Sequence, residues 1–171
     1  KVIMFFSEDE QNKVNSILNE LKLNEKDNII AVKTRPEHHE DIVRLAHKRS
    51  PVCHAAAFMR KSAVLEAGNY LHRQFYEDYN LWIRMIMKGS KFYNVQESLY
   101  DVRTTEAQLS RRAGFSYLKN ELKYLREFYK MGFYTFDDLL KNSSIRIVAR
   151  LMPNGMREMV FKKIWNHKSL K

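Results

Sequence analysis

Glu77 and Asp78 are the residues of this sequence whose type and position best suit chemistry. The two adjacent carboxylates open a helix predicted over residues 77–89, and Gly89 stands where a left-handed C-terminal cap belongs. The apolar stripe of this helix consists of Leu81, Trp82, Met85 and Ile86. A carboxylate at a rigid helix end can be aimed at a substrate, but an Asp N-cap also accepts a hydrogen bond from an unpaired backbone N–H. The pattern indicates either a group that does chemistry or a helix cap.

Three further side chains could contact a ligand. His54 precedes an apolar segment, where a histidine is either hydrogen-bonded within the core or part of an active site. Arg111 and Arg112 could bind phosphate groups, because a guanidinium donates paired hydrogen bonds to such an anion. A solvated basic turn is the alternative for these two arginines.

The composition is that of one globular domain. The chain has 171 residues, of which 44% are apolar and 12% aromatic, enough for a hydrophobic core. No apolar run approaches the roughly 18 residues that a membrane-spanning helix needs. The single cysteine, Cys53, excludes an internal disulfide and fits a reducing compartment. The first residue is Lys and no signal-peptide pattern follows, so we expect this sequence to be a piece of a longer protein.

The positive charge is concentrated in the last third of the chain. Residues 1–102 contain 15 Lys and Arg against 14 Asp and Glu, whereas residues 103–171 contain 15 against 6. Such a basic region could face nucleic acid, an anionic membrane surface or phosphate-rich small molecules.

Hydrophobic periodicity and turn residues predict the elements that position these side chains. Strands are predicted at residues 2–6, 29–32, 53–59, 91–95 and 99–103, and helices at residues 10–23, 37–48, 62–67, 77–89, 115–130, 135–151 and 155–165. Thr135 and Asp138 form a capping-box pattern at the start of the penultimate helix. The order predicts an α/β chain that ends in helices.

Several short motifs follow one another between Arg35 and Arg112. They are Arg35-Pro36 with His39-Glu40-Asp41-Ile42, Lys48-Arg49-Ser50-Pro51, His54, the run from Arg60 to Gly68 with Tyr70, and the run from Glu77 to Met85 with Gly89. In this order and spacing they resemble the C-terminal, acceptor-side half of bacterial family 2 glycosyltransferases. Those enzymes have the GT-A fold and build capsule, lipopolysaccharide and exopolysaccharide.

The resemblance implies a GT-A-like α/β fragment, with a short mixed sheet, flanking helices and a helical, basic C-terminal region. Residues 1–34 are then a remnant of, or a replacement for, the nucleotide-binding half. Residues 35–104 form the acceptor-side half with the Glu-Asp motif, and residues 105–171 form the basic helical region.

The resemblance also implies a reaction and gives roles to the candidate residues. A sugar moves with inversion from a nucleotide-diphosphate sugar to an acceptor hydroxyl, Asp78 is the general base, and Glu77 lies beside it. His54, Arg111 and Arg112 contact acceptor or phosphate. Two positions depart from the family pattern, because Cys53 stands where Asn often precedes the histidine and Asn69 stands where Gly is usual.

Enzymes of this kind hold Mg²⁺ or Mn²⁺ through an Asp-x-Asp motif in their N-terminal half. The acidic cluster Ser7-Glu8-Asp9-Glu10 follows a predicted strand but lacks that motif. It also lies closer to Arg35 in the sequence than the metal motif usually does in the resembled family. His38, His39 and His47 do not have metal-ligand spacing and are predicted to lie at the surface. We therefore expect no metal site in this chain, and expect the isolated chain to be inactive.

The implied partners are a nucleotide-diphosphate sugar and a saccharide or lipid-linked acceptor, which places the enzyme in the cytoplasm at the inner face of the membrane. The alternative is a non-enzymatic basic module that binds an anionic membrane surface through the amphipathic segment 155–165. Nucleic acid is not expected as a partner, because the aromatic residues of the basic region fall at helix-packing positions.

Overall fold

The computed structural model describes the backbone of residues 13–17, 20–23, 29–97, 100–103 and 115–151, and the side chains of residues 34–97 and 115–151. Its strands are β1 (Lys13–Ile17), β2 (Glu20–Leu23), β3 (Ile29–Lys33), β4 (Lys91–Val95) and β5 (Tyr100–Arg103). Its helices are α1 (His39–Ala46), α2 (Lys61–Glu66), α3 (Glu77–Met87), α4 (Phe115–Lys130) and α5 (Phe136–Leu151).

The described strands form two small sheets. Strands β1 and β4 pair in parallel, with Lys13 opposite Lys91 and Ile17 opposite Val95. Strand β2 lies between β3, to which it is antiparallel, and β5, to which it is parallel. These short strand pairings, with α1 packed against β4, are compatible with a fragment of an α/β protein.

The helix predicted over residues 10–23 is wrong. This segment contains β1 and β2, and both strands pair with segments far along the chain. The four residues of β2 alternate polar and apolar as Glu20-Leu21-Lys22-Leu23, which is the period of a strand. Pairing with distant strands therefore outweighs the helical spacing of the apolar residues.

The strand predicted over residues 53–59 is also wrong. His54–Ala56 form a single 3₁₀ turn, and only Ala57 makes a bridge-type pairing. The run of three alanines explains the difference, because alanine is a poor strand former and supplies little side chain to pack on a sheet. The predictions for residues 2–6 and 155–165 lie outside the described residues.

Helix α3 occupies the centre of the described core, because it packs on two sides. Trp82 and Met85 belong to one apolar cluster, which also contains residues of α1 and β4. Tyr79 and Ile83 belong to a second cluster, which is shared with α4 and the turn after it. A short helix that is apolar on two faces must be buried on both. The residues at its N-terminus are therefore held by two layers of structure.

The C-terminus of α3 and the N-terminus of α5 have the capping structures that the sequence predicts. Gly89 has a φ of +84° just after α3, the left-handed conformation of a helix C-terminus. At the start of α5, Thr135 Oγ1 accepts a hydrogen bond of 3.1 Å from the Asp138 N–H, and Asp138 Oδ2 accepts one of 3.0 Å from the Thr135 N–H. The predicted capping box is confirmed.

Candidate active site

The acid pair lies in the first turn of α3, with both side chains partly exposed. Tyr76, not Asp78, occupies the N-cap position, and no side chain caps this helix end from there. Asp78 Oδ1 accepts a hydrogen bond of 2.7 Å from the Tyr79 N–H. This contact satisfies one of the four N–H groups that a helix start leaves unpaired. Asp78 therefore stabilises the helix start from within its first turn and not from the N-cap position.

In the part of the chain that the structure describes, one Asp78 oxygen has a hydrogen-bond partner. Among the described residues no group hydrogen-bonds Oδ2, and the side chain is partly open to solvent. The helix start carries partial positive charge, which stabilises a carboxylate there. Asp78 can therefore hold the helix start with one oxygen and present the other to a ligand.

His54 and Tyr70 lie next to each other, and His54 contacts α3 through Trp82. The His54 side chain is exposed, so it is not the core histidine that its apolar neighbours allow. Its ring meets the Tyr70 ring edge-on at 5.7 Å and lies 6.0 Å from the ring of fully buried Trp82. Burial raises the pKa of Tyr70, and the negative charge of Asp78 raises it further.

The turn that carries Tyr70 is fixed by α3 itself. The guanidinium of Arg84 donates to the backbone carbonyl oxygens of Ala67 and Asn69, the latter at 2.7 Å. Gly68 between them has a φ of +85°, and a Cβ there would come within 3.3 Å of Arg84 Nη1. Because Arg84 and Asp78 belong to one helix, Tyr70 and Asp78 are held in a set relation.

Asn69 adopts a φ of +58°, in the left-handed region. Asparagine tolerates this conformation better than other residues with a Cβ. Its side chain also accepts a hydrogen bond of 2.8 Å from the Tyr70 N–H. The departure from glycine at this position therefore leaves the turn intact.

Phe75 is the strained residue of the site. Its φ is +68°, an outlier for a bulky side chain, and 47% of its surface is exposed. Such strain costs free energy and persists only where the surrounding structure holds it. Phe75 stands two residues before Glu77, so the loop into α3 is held in place by its neighbours.

The remaining predicted site residues have different outcomes. Arg111 and Arg112 lie outside the described residues. Within the part of the chain that is described, no group of His, Cys, Asp and Glu could hold a metal ion. His38 is exposed, whereas His47 is partly buried and its Nδ1 lies 2.9 Å from Asp138 Oδ2. His47 therefore links α1 to α5, a role that its surface prediction missed.

Glu121 is the most important residue that the sequence reasoning did not single out. Its side chain is 1% exposed and it bonds Tyr76, the residue just before the acid pair. A signal was present, because Glu121 is three residues after Leu118 and four before Leu125, on the apolar face of α4. A carboxylate in such a place needs partners and thereby indicates a buried network.

Comparison with known proteins points to one class, the bacterial glycosyltransferases. The chain is 32% identical over 123 residues, 72% of its length, to UDP-Gal:alpha-D-GlcNAc-diphosphoundecaprenol beta-1,3-galactosyltransferase of Escherichia coli. It is 30% identical over 77% of its length to the amylovoran biosynthesis glycosyltransferase AmsE of Erwinia amylovora, and 28% identical over 78% to an uncharacterized glycosyltransferase of Haemophilus influenzae. These alignments cover 45%, 50% and 49% of the three relatives, so the chain spans about half their length. No family model and no solved structure matches the chain.

Proposed function

We propose that this chain is the acceptor-side part of an inverting, family 2 glycosyltransferase of the GT-A fold. The similarity to glycosyltransferases over about three quarters of the chain supports the class. The observation that supports the mechanism is Asp78, a carboxylate on a helix end whose Oδ2 has no hydrogen-bond partner among the described residues. A base must be placed at a fixed distance from the reacting hydroxyl, and such a helix end meets this demand.

In the proposed reaction Asp78 Oδ2 accepts the proton of an acceptor hydroxyl. The acceptor oxygen forms its new bond to the anomeric carbon of the donor sugar while the bond from that carbon to the diphosphate breaks. The nucleoside diphosphate leaves from the opposite face, so the configuration at the anomeric carbon inverts. Glu77 lies next to Asp78 on the same helical turn and keeps the mouth of the site negative.

The described residues do not supply a binding site for the nucleotide-diphosphate group of the donor. In the resembled family a divalent metal held by Asp-x-Asp offsets the charge of the leaving diphosphate. The described residues do not fit such a metal. We propose that the donor and Mg²⁺ or Mn²⁺ sites are formed by other parts of the protein, and that Arg111 and Arg112 bind phosphate of donor or acceptor.

The acceptor is proposed to be a saccharide or a lipid-linked sugar. The Escherichia coli relative is named for transfer from UDP-Gal to a GlcNAc-diphosphoundecaprenol, and the Erwinia relative for amylovoran biosynthesis. Tyr70 and His54 present two adjacent rings, and the charge of Asp78 acts on the pKa of Tyr70. An exposed ring offers an apolar body to a sugar face and a polar tip to its hydroxyls.

An assay of the full-length protein tests this function. The protein is incubated with UDP-galactose, other nucleotide-diphosphate sugars, Mn²⁺ and a GlcNAc-diphosphate lipid, and release of nucleoside diphosphate is measured with and without the lipid. We expect release that depends on acceptor and a product of inverted anomeric configuration by NMR. A product of retained configuration would contradict the inverting mechanism.

A second proposal, association with an anionic membrane, is favoured by α5. The described helices include none that could span a bilayer. Phe136, Leu140, Ile147 and Leu151 of α5 nevertheless form an exposed apolar stripe at helical spacing, and Val148 is exposed beside it. Lys48, Arg49 and Lys141 line an open cleft of about 350 Å³ that Ile145 also borders. An apolar helix face beside basic side chains is the composition of an interfacial helix.

Vesicle flotation tests the membrane proposal. The full-length protein should float with phosphatidylglycerol vesicles at low salt and less with phosphatidylcholine vesicles. Val148→Asp should weaken flotation, because it places a charge on the apolar face of α5. Phe115→Asp is the matched control, since Phe115 is 76% exposed on α4. Equal flotation by wild type and Val148→Asp would contradict a role for this face.

A further inference from the structure

Both residues that flank the acid pair are anchored in the hairpin formed by α4 and α5. Tyr76 precedes Glu77 and donates a hydrogen bond of 3.0 Å from its hydroxyl to Glu121 Oε1 on α4. Tyr79 follows Asp78, and its hydroxyl lies 2.8 Å from that of Tyr134 in the turn between the two helices. The acid pair therefore stands between two buried tyrosines whose tips end in this hairpin.

Glu121 is itself held from α5. Arg150 donates two hydrogen bonds to its carboxylate, from Nε to Oε2 at 2.8 Å and from Nη2 to Oε1 at 3.1 Å. Arg146 Nε lies 3.7 Å from Oε1 on the same carboxylate. Paired donors of this kind fix a carboxylate in direction as well as in place. Glu121 Oε1, which accepts the hydrogen bond from the Tyr76 hydroxyl, is therefore held in a fixed position.

The Tyr76 contact stands next to the strained part of the loop. Phe75, with its left-handed backbone, is the residue just before Tyr76. Left to itself, that backbone would relax and carry the start of α3 with it. The nearby carboxylate of Glu127 adds a second tie, because it accepts hydrogen bonds from Arg73 at 3.0 Å and from Asn80 at 3.3 Å.

We propose that Glu121 is a positioning residue, which acts through the Tyr76 hydroxyl to hold Asp78 in line with the acceptor hydroxyl. This inference rests on the proposed function, since it gives the helical hairpin a part in the same reaction. Nothing in the contact places Glu121 near a substrate. Its effect should fall on the rate of the bound complex and not on substrate binding.

The test is kinetic and uses the full-length protein with Tyr76→Phe, which removes one hydroxyl. We expect kcat to fall by on the order of 10-fold to 100-fold, because small misplacements of a catalytic group have effects of this size. The KM values for donor and acceptor should stay within about twofold, since uniform binding is not altered. Glu121→Gln should also lower kcat, and the Tyr76→Phe, Glu121→Gln double variant should be no slower than the slower single variant, because both changes break one chain of contacts.

Thr135→Ala is the control for simple destabilisation, because it weakens the same hairpin through the capping box and touches neither Tyr76 nor Glu121. It should keep the wild-type kcat at 25 °C although its thermal midpoint falls. A wild-type kcat in Tyr76→Phe, or an equal loss of kcat in Thr135→Ala, would overturn the inference. Asp78→Asn distinguishes failure of the proposed function from failure of the positioning role. If Asp78→Asn keeps its activity, the proposed function is wrong. If Asp78→Asn is inactive and Tyr76→Phe is fully active, only the positioning role is wrong.

Discussion

Arg150 and Glu121 form a buried, two-pronged ion pair between α5 and α4. The carboxylate is 1% exposed and the Arg150 side chain 18%, so both charges are largely removed from water. This pair changes the reading of the basic C-terminal region, since Arg150 and Arg146 both point their charge at Glu121. Part of the positive charge of the C-terminal region therefore neutralises a buried carboxylate and is not available at the surface.

Removing Arg150 should destabilise the protein strongly. Arg150→Met leaves the Glu121 carboxylate buried without its main partner, and we expect the free energy of unfolding to fall by about 3–5 kcal/mol. The double variant Glu121→Leu, Arg150→Met should recover much of that loss, because neither charge then remains. Chemical denaturation measures both effects.

The matched control for this pair is Lys141→Met. It breaks the contact of 3.7 Å between Lys141 Nζ and Asp137 Oδ2, whose side chains are about three quarters exposed. Exposed pairs contribute little, so this variant should unfold like the wild type. A similar loss in Lys141→Met and Arg150→Met would refute the assignment of stability to the buried pair.

High pH should unfold the protein through its buried tyrosines. Burial raises the pKa of Tyr134 to about 12 from an ordinary value of 10, and burial also raises the pKa of Tyr79 well above that value. The unfolded chain then releases these protons first. Stability is therefore fully present below pH 10 and is lost as the pH rises from 10 towards 12.

Urea titrations at a series of alkaline pH values measure this dependence. Tyr134→Phe should flatten it, because one of the shifted groups is gone. Tyr129→Phe is the control, since Tyr129 is 43% exposed and should leave the dependence unchanged. A free energy of unfolding that stays level up to pH 12 would be incompatible with these shifts.

Tyr70 should matter for the acceptor and not for the donor. Tyr70→Ala removes the ring that stands beside His54, and we expect the KM for acceptor to rise by on the order of 10-fold with the donor KM unchanged. Tyr70→Phe keeps the ring and should stay close to wild type. If Tyr70→Ala raises the KM for the donor instead, the Tyr70 ring contacts the donor and not the acceptor.

Local patterns were sufficient to predict those elements whose signals lie within a few residues. Helix α3, its end at Gly89 and the capping box at Thr135 are all confirmed. These features depend on the spacing of apolar residues, on a left-handed glycine and on a reciprocal cap. Each of these signals lies within a few consecutive residues of the sequence. The partly exposed acid pair at the start of α3 follows from the same local reasoning.

Features that depend on distant partners were missed. Strands β1 and β2 pair with β4 and β5, some 80 residues away, and no short window contains that information. The second buried face of α3 exists because α4 covers Tyr79 and Ile83. On α4 the large apolar side chains of Phe115 and Tyr129 are exposed, whereas the Glu121 carboxylate is buried with its partners on α5.

The central claim is that Asp78 is the base, and Asp78→Asn tests it most directly. Asparagine keeps an oxygen that can accept the hydrogen bond of 2.7 Å from the Tyr79 N–H, so the helix end is preserved while the ability to take a proton is lost. Asp41→Asn serves as the control, because Asp41 is exposed on α1 and forms a surface ion pair with Arg44 at 3.0 Å. In the full-length protein we expect Asp78→Asn to keep its circular dichroism and lose on the order of 10²–10⁴-fold in the transfer rate. Transfer at the wild-type rate by a folded Asp78→Asn protein would contradict the account.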